Sequence, residues 1–131
     1  MTNSLKPTTE ALAALAANPD NGPVVMLNLL KFKRGGGSKE YGQYSDAFQK
    51  LLLEHGGRFL FLGRATELLV GTEDWDAVAL VEYPSRQVFL QLTSSPEYRA
   101  IAPLREQGLE RTLLYATTPR AAAPVATSEV S

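Results

Sequence analysis

Cysteine is absent from this 131-residue chain, and histidine and tryptophan occur once each, as His55 and Trp75. Without thiols there is no disulfide, no thiolate nucleophile and no cysteine-ligated zinc or iron–sulfur centre. A transition-metal site would have to join one imidazole to carboxylates such as Glu54 or Glu82, so neither a metal nor any other cofactor is expected. Charge of one sign is lacking too, since 13 basic and 14 acidic residues leave a net charge of −1. Nucleic-acid backbones and anionic membrane surfaces both call for clustered Lys and Arg. The densest basic stretch, Lys31, Lys33 and Arg34, sits beside a glycine run and reads as a solvated turn, so neither partner is expected. No apolar run reaches the length of about 18 residues that suggests a membrane helix, and the first residues lack a basic stretch followed by an apolar one. The expected location is cytoplasmic.

What is present suits one soluble domain with one core. Two strand-length segments, Val24 to Phe32 and Ala77 to Tyr83, are apolar on both alternating faces. Along the first, Val24, Met26, Asn28, Leu30 and Phe32 share one side, and Val25, Leu27, Leu29 and Lys31 the other. An antiparallel sheet with one wet face alternates apolar and polar residues instead.

Around these strands the pattern predicts a helix capped by Thr8 or Thr9 and ending near Asn18-Pro19. After Ser38, Tyr41, Tyr44, Phe48, Leu51, Leu52 and His55 recur at helical spacing, and Gly56-Gly57 ends the run. Phe59 to Leu62 and Ala65 to Val70 read as one strand bulged at Gly63, and Trp75 to Tyr83 as the next. Helices follow from Ser85 and from Ser95-Pro96, the second kinked or divided at Pro103. Arg111 to Ala116 is the last strand. The organisation expected is an N-terminal helical extension over residues 1–22, one domain over 23–117 and a disordered tail over 118–131. A helix followed by βαββαβ makes the fold class α+β, a ferredoxin-like four-stranded antiparallel sheet with crossover helices on one side.

That arrangement leaves a sheet face uncovered. At about 25 cal/mol per Å² of apolar surface, several hundred wet Å² would forgo on the order of 10 kcal/mol, comparable with a domain's net stability. An alanine-dominated N-terminal helix is a small lid for four strands. The expected partner is a second copy, packed sheet to sheet about a twofold axis.

The segments VVMLNLLKFK, HGGRFLFLGRA and WDAVALVEYPSRQVFLQLTSSPEYRAI resemble the domain-of-unknown-function family 1330, within the dimeric α/β-barrel superfamily. The likeness covers about residues 23–117. It is most specific at Gly56-Gly57-Arg58-Phe59, Glu82-Tyr83-Pro84-Ser85 and Ser95-Pro96-Glu97-Tyr98. The resemblance implies a homodimer whose two sheets form a barrel, with a cavity in each subunit. Relatives in the superfamily include cofactor-independent monooxygenases, muconolactone isomerases, polyketide cyclases, heme-degrading oxygenases and noncatalytic ligand-binding domains, so the fold does not choose the function.

Asn28 interrupts an apolar strand, where an unsatisfied amide costs roughly 1–3 kcal/mol. It is either a structural amide or a cavity residue holding a substrate oxygen, as an asparagine on the first strand does in the heme-degrading relatives. Trp75, Ala77, Ala79, Val81 and Tyr83 fall on one parity, two alanines between aromatics, which lines a small apolar pocket or simply fills a core. Tyr83 also matches the place of a cavity tryptophan in superfamily oxygenases. Glu82 is expected to pair with Arg64, Arg99 or Arg111. His55 is a possible general base, although its place before Gly56-Gly57 also suits a helix C-terminus. The heme-degrading relatives carry an axial histidine after the second crossover helix; Tyr98 to Ala102 contains none, so heme is not expected. The residues expected at a substrate are thus Asn28, Arg64, Trp75 and Tyr83, with Asn28, His55 and Tyr83 as catalytic candidates. Two functions fit: a cofactor-independent oxygenase, isomerase or cyclase acting on a small apolar or aromatic metabolite, or a noncatalytic ligand-binding or sensing homodimer.

Overall fold

The computed structural model describes residues 5–120. In chain order the elements are α1 (Thr9–Ala17), β1 (Val24–Phe32), α2 (Gly37–Glu54), β2 (Arg58–Arg64), β3 (Ala77–Tyr83), α3 (Arg86–Thr93), α4 (Pro96–Gly108) and β4 (Leu109–Thr117). The four strands form one sheet in the order β2-β3-β1-β4, and each neighbouring pair is antiparallel. This is the ferredoxin-like α+β arrangement with an added N-terminal helix. Within one chain the sheet is open, with β2 and β4 as its edges; a single chain closes no barrel.

Local chemistry sets the helix starts. The hydroxyls of Thr8, Ser85 and Ser95 accept from the backbone N–H three residues on, at 3.0, 3.2 and 3.1 Å, which satisfies amides that a helix N-terminus leaves unpaired. Gly56 has φ +81°, the left-handed conformation that turns the chain out of α2.

Val24 and Met26 of β1 and Ala79, Val81 and Tyr83 of β3 are buried in a core with Tyr44, Phe48, Leu51, Leu52, Phe89 and Leu92 of the helices, while Leu30 and Ala77 form a second buried cluster with Leu109. Leu12 and Leu15 of α1 pack against the first of these, so α1 lies on the helical side. The opposite sheet face is built of cross-strand neighbours: Leu29 between Val78 and Leu113, Leu27 between Leu80 and Tyr115, and Phe61 beside Leu80. No described helix covers it, and Phe61 and Tyr115 remain 53% and 61% exposed. Ion pairs rim this face, with Arg58 Nε 2.9 Å from Glu82 and Lys31 Nζ 2.9 Å from Asp74.

Several boundaries differ from expectation. Residues 65–70 are loop rather than strand, with Leu69 88% and Val70 91% exposed. β3 begins at Ala77, opposite Arg64, so the chain beyond Arg64 has no neighbour to pair with except through Ala65 N–H to the Asp76 carbonyl at 2.9 Å. β-propensity without a partner strand is not enough. The irregularity in β2 falls between Phe59 and Phe61, not at Gly63. Helix α4 runs unbroken through Pro103, because that proline is exposed and water can serve the carbonyl it leaves unpaired. β4 extends two residues further back than expected, to Leu109, and one further on, to Thr117. Glu82 pairs with Arg58, its direct cross-strand neighbour, rather than with Arg64, Arg99 or Arg111. Of the expected disordered tail, residues 121–131 lie outside the described residues; Thr118 accepts a hydrogen bond from buried Arg86 at 2.6 Å.

Candidate functional site

A cavity of about 340 Å³ lies between the inner sheet face and the helices, at the low end of the size range of ligand pockets. Its floor comes from alternate residues of the central strands, Met26 and Asn28 of β1 and Val81 and Tyr83 of β3, with Leu114 of the edge strand β4. One wall is the stripe Tyr41, Tyr44 and Phe48 of α2, spaced three and four residues apart. Facing it, Tyr98, Ala102 and Arg105 of α4 repeat every three or four residues, and Ala102 leaves room between the larger side chains. Lys6, Pro7 and Leu12 of the N-terminal segment close one side.

The body of the cavity is apolar and aromatic, and phenols, the Asn28 amide and the charged side chains of Lys6, Arg99, Arg105 and Glu106 border it. Asn28 Nδ2 donates to the carbonyls of Met26 at 3.2 Å and Ala79 at 3.4 Å. Its amide oxygen accepts from no described residue. The Tyr44 and Tyr98 hydroxyls are 2.9 Å apart and joined by a hydrogen bond. Phe48 stacks on Tyr44 and meets Phe59 and Tyr98 edge-on, which locks the rings around the pair.

Burial sets the electrostatics. It pushes the Tyr41 hydroxyl up to about 12, with the positive charge of Arg105 pulling partly back. Burial also raises Tyr83, and it raises Tyr44 well above the ordinary phenol range, the latter helped by Tyr98 and Tyr41. All three phenols are therefore neutral near pH 7 and act as hydrogen-bond donors, not bases. Arg105 is buried and donates from Nη1 to the Leu5 carbonyl, tying α4 to the N-terminal segment. Beside it, Glu106 pairs with Lys6 at 3.3 Å.

Of the residues singled out from the sequence, Asn28 and Tyr83 meet in this cavity, and Arg64, Trp75 and His55 do not line it. Arg64 ends β2 on an exposed edge. Trp75 precedes β3 instead of beginning it, and Arg111 stacks over its ring at 4.2 Å, outside the cavity. His55 caps α2, its Nδ1 2.9 Å from the Leu51 carbonyl, so that nitrogen carries a proton and donates. Tyr98, Thr93, Arg105 and Glu106 were not anticipated as site residues, although the spacing of Tyr98, Ala102 and Arg105 already places them on one helix face. No group of metal-ligating side chains is found among the described residues.

Residues 36–118 match the family of the domain of unknown function DUF1330. Among solved structures, the chain is similar to RPA0582, a protein of unknown function from Rhodopseudomonas palustris, with 28% identity and a TM-score of 0.86 over 92% of this chain and 100% of that one. A dimeric ferredoxin-like protein of unknown function from Jannaschia sp. is similar at 13% identity and a TM-score of 0.63, over 75% and 100% of the two chains. A candidate antibiotic biosynthesis monooxygenase from Caulobacter crescentus is similar at 14% identity and a TM-score of 0.60, over 77% and 92%. Identities this low in the last two carry the fold alone. No curated protein matches the chain.

Proposed function

This chain belongs to the DUF1330 family, and from that premise we propose that it works as a homodimer in which each subunit holds a small apolar or aromatic metabolite in the cavity between sheet and helices. The observation that carries this reading is the lining itself: an aromatic body of Phe48, Phe59 and Phe89, with neutral phenols, one amide and the two guanidinium groups of Arg99 and Arg105 converging on it. Such a site binds the body of a ligand by burial and orients it through a few polar atoms. The dimer rests on the uncovered outer face, whose apolar centre and charged rim have the anatomy of a protein interface, and on the dimeric state of the Jannaschia protein.

Two modes of action fit this site. As a cofactor-independent enzyme, it would polarise a carbonyl by donation from Tyr83 or the Tyr44–Tyr98 pair and stabilise an enolate-like charge beside Arg105. As a noncatalytic binder or sensor, it would need only the same recognition. The second reading draws support from a specific feature: among the described residues the lining contains no histidine, and its one carboxylate, Glu106, is paired with Lys6.

Thermal-shift screening of phenols, lactones and quinones, preceded by native mass spectrometry for a copurified ligand, tests the reading. A ligand that stabilises the protein is expected to lose most of that effect in Asn28→Ala. Unchanged stabilisation in that variant would place the ligand elsewhere.

A further inference from the structure

Arg105 is 9% exposed and stands on the cavity wall, yet no acidic side chain lies within 4.0 Å of it among the described residues. Its one hydrogen bond among the described residues goes to a neutral acceptor, the Leu5 carbonyl. A desolvated cation without a counter-ion is costly, and proteins ordinarily pair it. Among the described residues, the acidic and phenolic side chains that line the cavity with it are otherwise engaged or uncharged. Glu106 is held by Lys6, and the phenols of Tyr41, Tyr44 and Tyr83, which all feel the Arg105 charge, are kept protonated by burial. The Asn28 oxygen supplies no net charge.

We propose that the missing negative charge comes from the ligand: the cavity selects an aromatic or aliphatic acid whose carboxylate pairs with the Arg105 guanidinium while its apolar body lies among Phe48, Phe89 and Met26. This rests on the small-molecule reading of the same cavity and narrows it to a chemical class. A guanidinium is suited to the task because its planar fork meets both oxygens of a carboxylate, and an apolar surround strengthens the pair. The neutral phenols complete the recognition as donors to the same head group. Selection follows from the difference between ligands: an amide of equal shape fills the apolar part but leaves the guanidinium without its counter-charge.

Isothermal titration with 3-phenylpropanoate and its neutral counterpart 3-phenylpropanamide, on the full chain at fixed salt, tests the assignment. The acid is expected to bind at least about tenfold more tightly than the amide, the scale of one hydrogen-bonded charge in a desolvated site. In Arg105→Gln the two affinities should converge, and Arg105→Lys should keep part of the preference. Should Arg105→Gln fail to fold, the acid-to-amide ratio of the natural protein decides alone. Equal affinities there overturn the inference and leave the cavity reading intact. A preference that persists in a folded Arg105→Gln overturns the role of Arg105. Failure of both probes to bind removes the cavity reading, and this inference with it.

Discussion

The hydroxyls of Tyr44 and Tyr98 meet at 2.9 Å and join α2 to α4 over the cavity. The bond lies inside an aromatic cluster, so each oxygen depends on the other for its partner. In Tyr98→Phe the Tyr44 hydroxyl is left buried and alone, which costs about 1–2 kcal/mol in denaturant unfolding. The double variant Tyr44→Phe/Tyr98→Phe should cost less than the sum of the two single changes, since it strands no oxygen. Additive costs would show that the two rings do not act as a pair.

Stability should fall steeply in alkali. Tyr41, Tyr44 and Tyr83 all have folded-state values above the ordinary phenol value near 10, Tyr41 at about 12. The folded chain therefore holds these protons where the unfolded chain releases them. Their contribution is complete below about pH 10 and is lost as pH rises toward 12, at about 1.4 kcal/mol per pH unit for each phenol. Tyrosinate absorbance measured alongside circular dichroism checks this. These three phenolates should appear together with loss of structure, and their appearance in a fully folded chain near pH 10 would contradict the buried arrangement.

Gly57 is needed for close approach. A Cβ there would collide with Leu52 Cδ1 and lie 2.7 Å from the Glu82 carbonyl oxygen. Gly57→Ala should destabilise by about 1–3 kcal/mol, because α2 and β3 would have to move apart. A variant with an unchanged denaturation midpoint would show that the junction yields freely.

The fold was legible because its signals are local and repeated. Val24 to Phe32 and Ala77 to Tyr83 are apolar on both parities, and serine or threonine caps stand where α1, α3 and α4 start, whereas α2 begins at Gly37, ahead of Ser38, with Gly36 as its cap. The inner placement of Asn28 and Tyr83 followed from strand alternation once the helical side was known. Trp75 and the segment Ala65 to Val70 misled because both have strand character, while pairing ends at Arg64 opposite Ala77. The burial of Arg105 was hidden for a different reason. An arginine on an amphipathic helix reads as surface, and its bond to the Leu5 carbonyl, a hundred positions away in sequence, leaves no local signal.

The account depends most on one physical point, that apolar side chains line both faces of a sheet whose own helices cover one. Sedimentation equilibrium of the full chain at micromolar concentration tests it directly. Twice the chain mass is expected, reverting to a single chain in Leu27→Lys, which puts a charge at the centre of the uncovered face. A natural protein that sediments as single chains across that range, with Leu27, Leu29 and Leu80 in contact with water, would contradict the account.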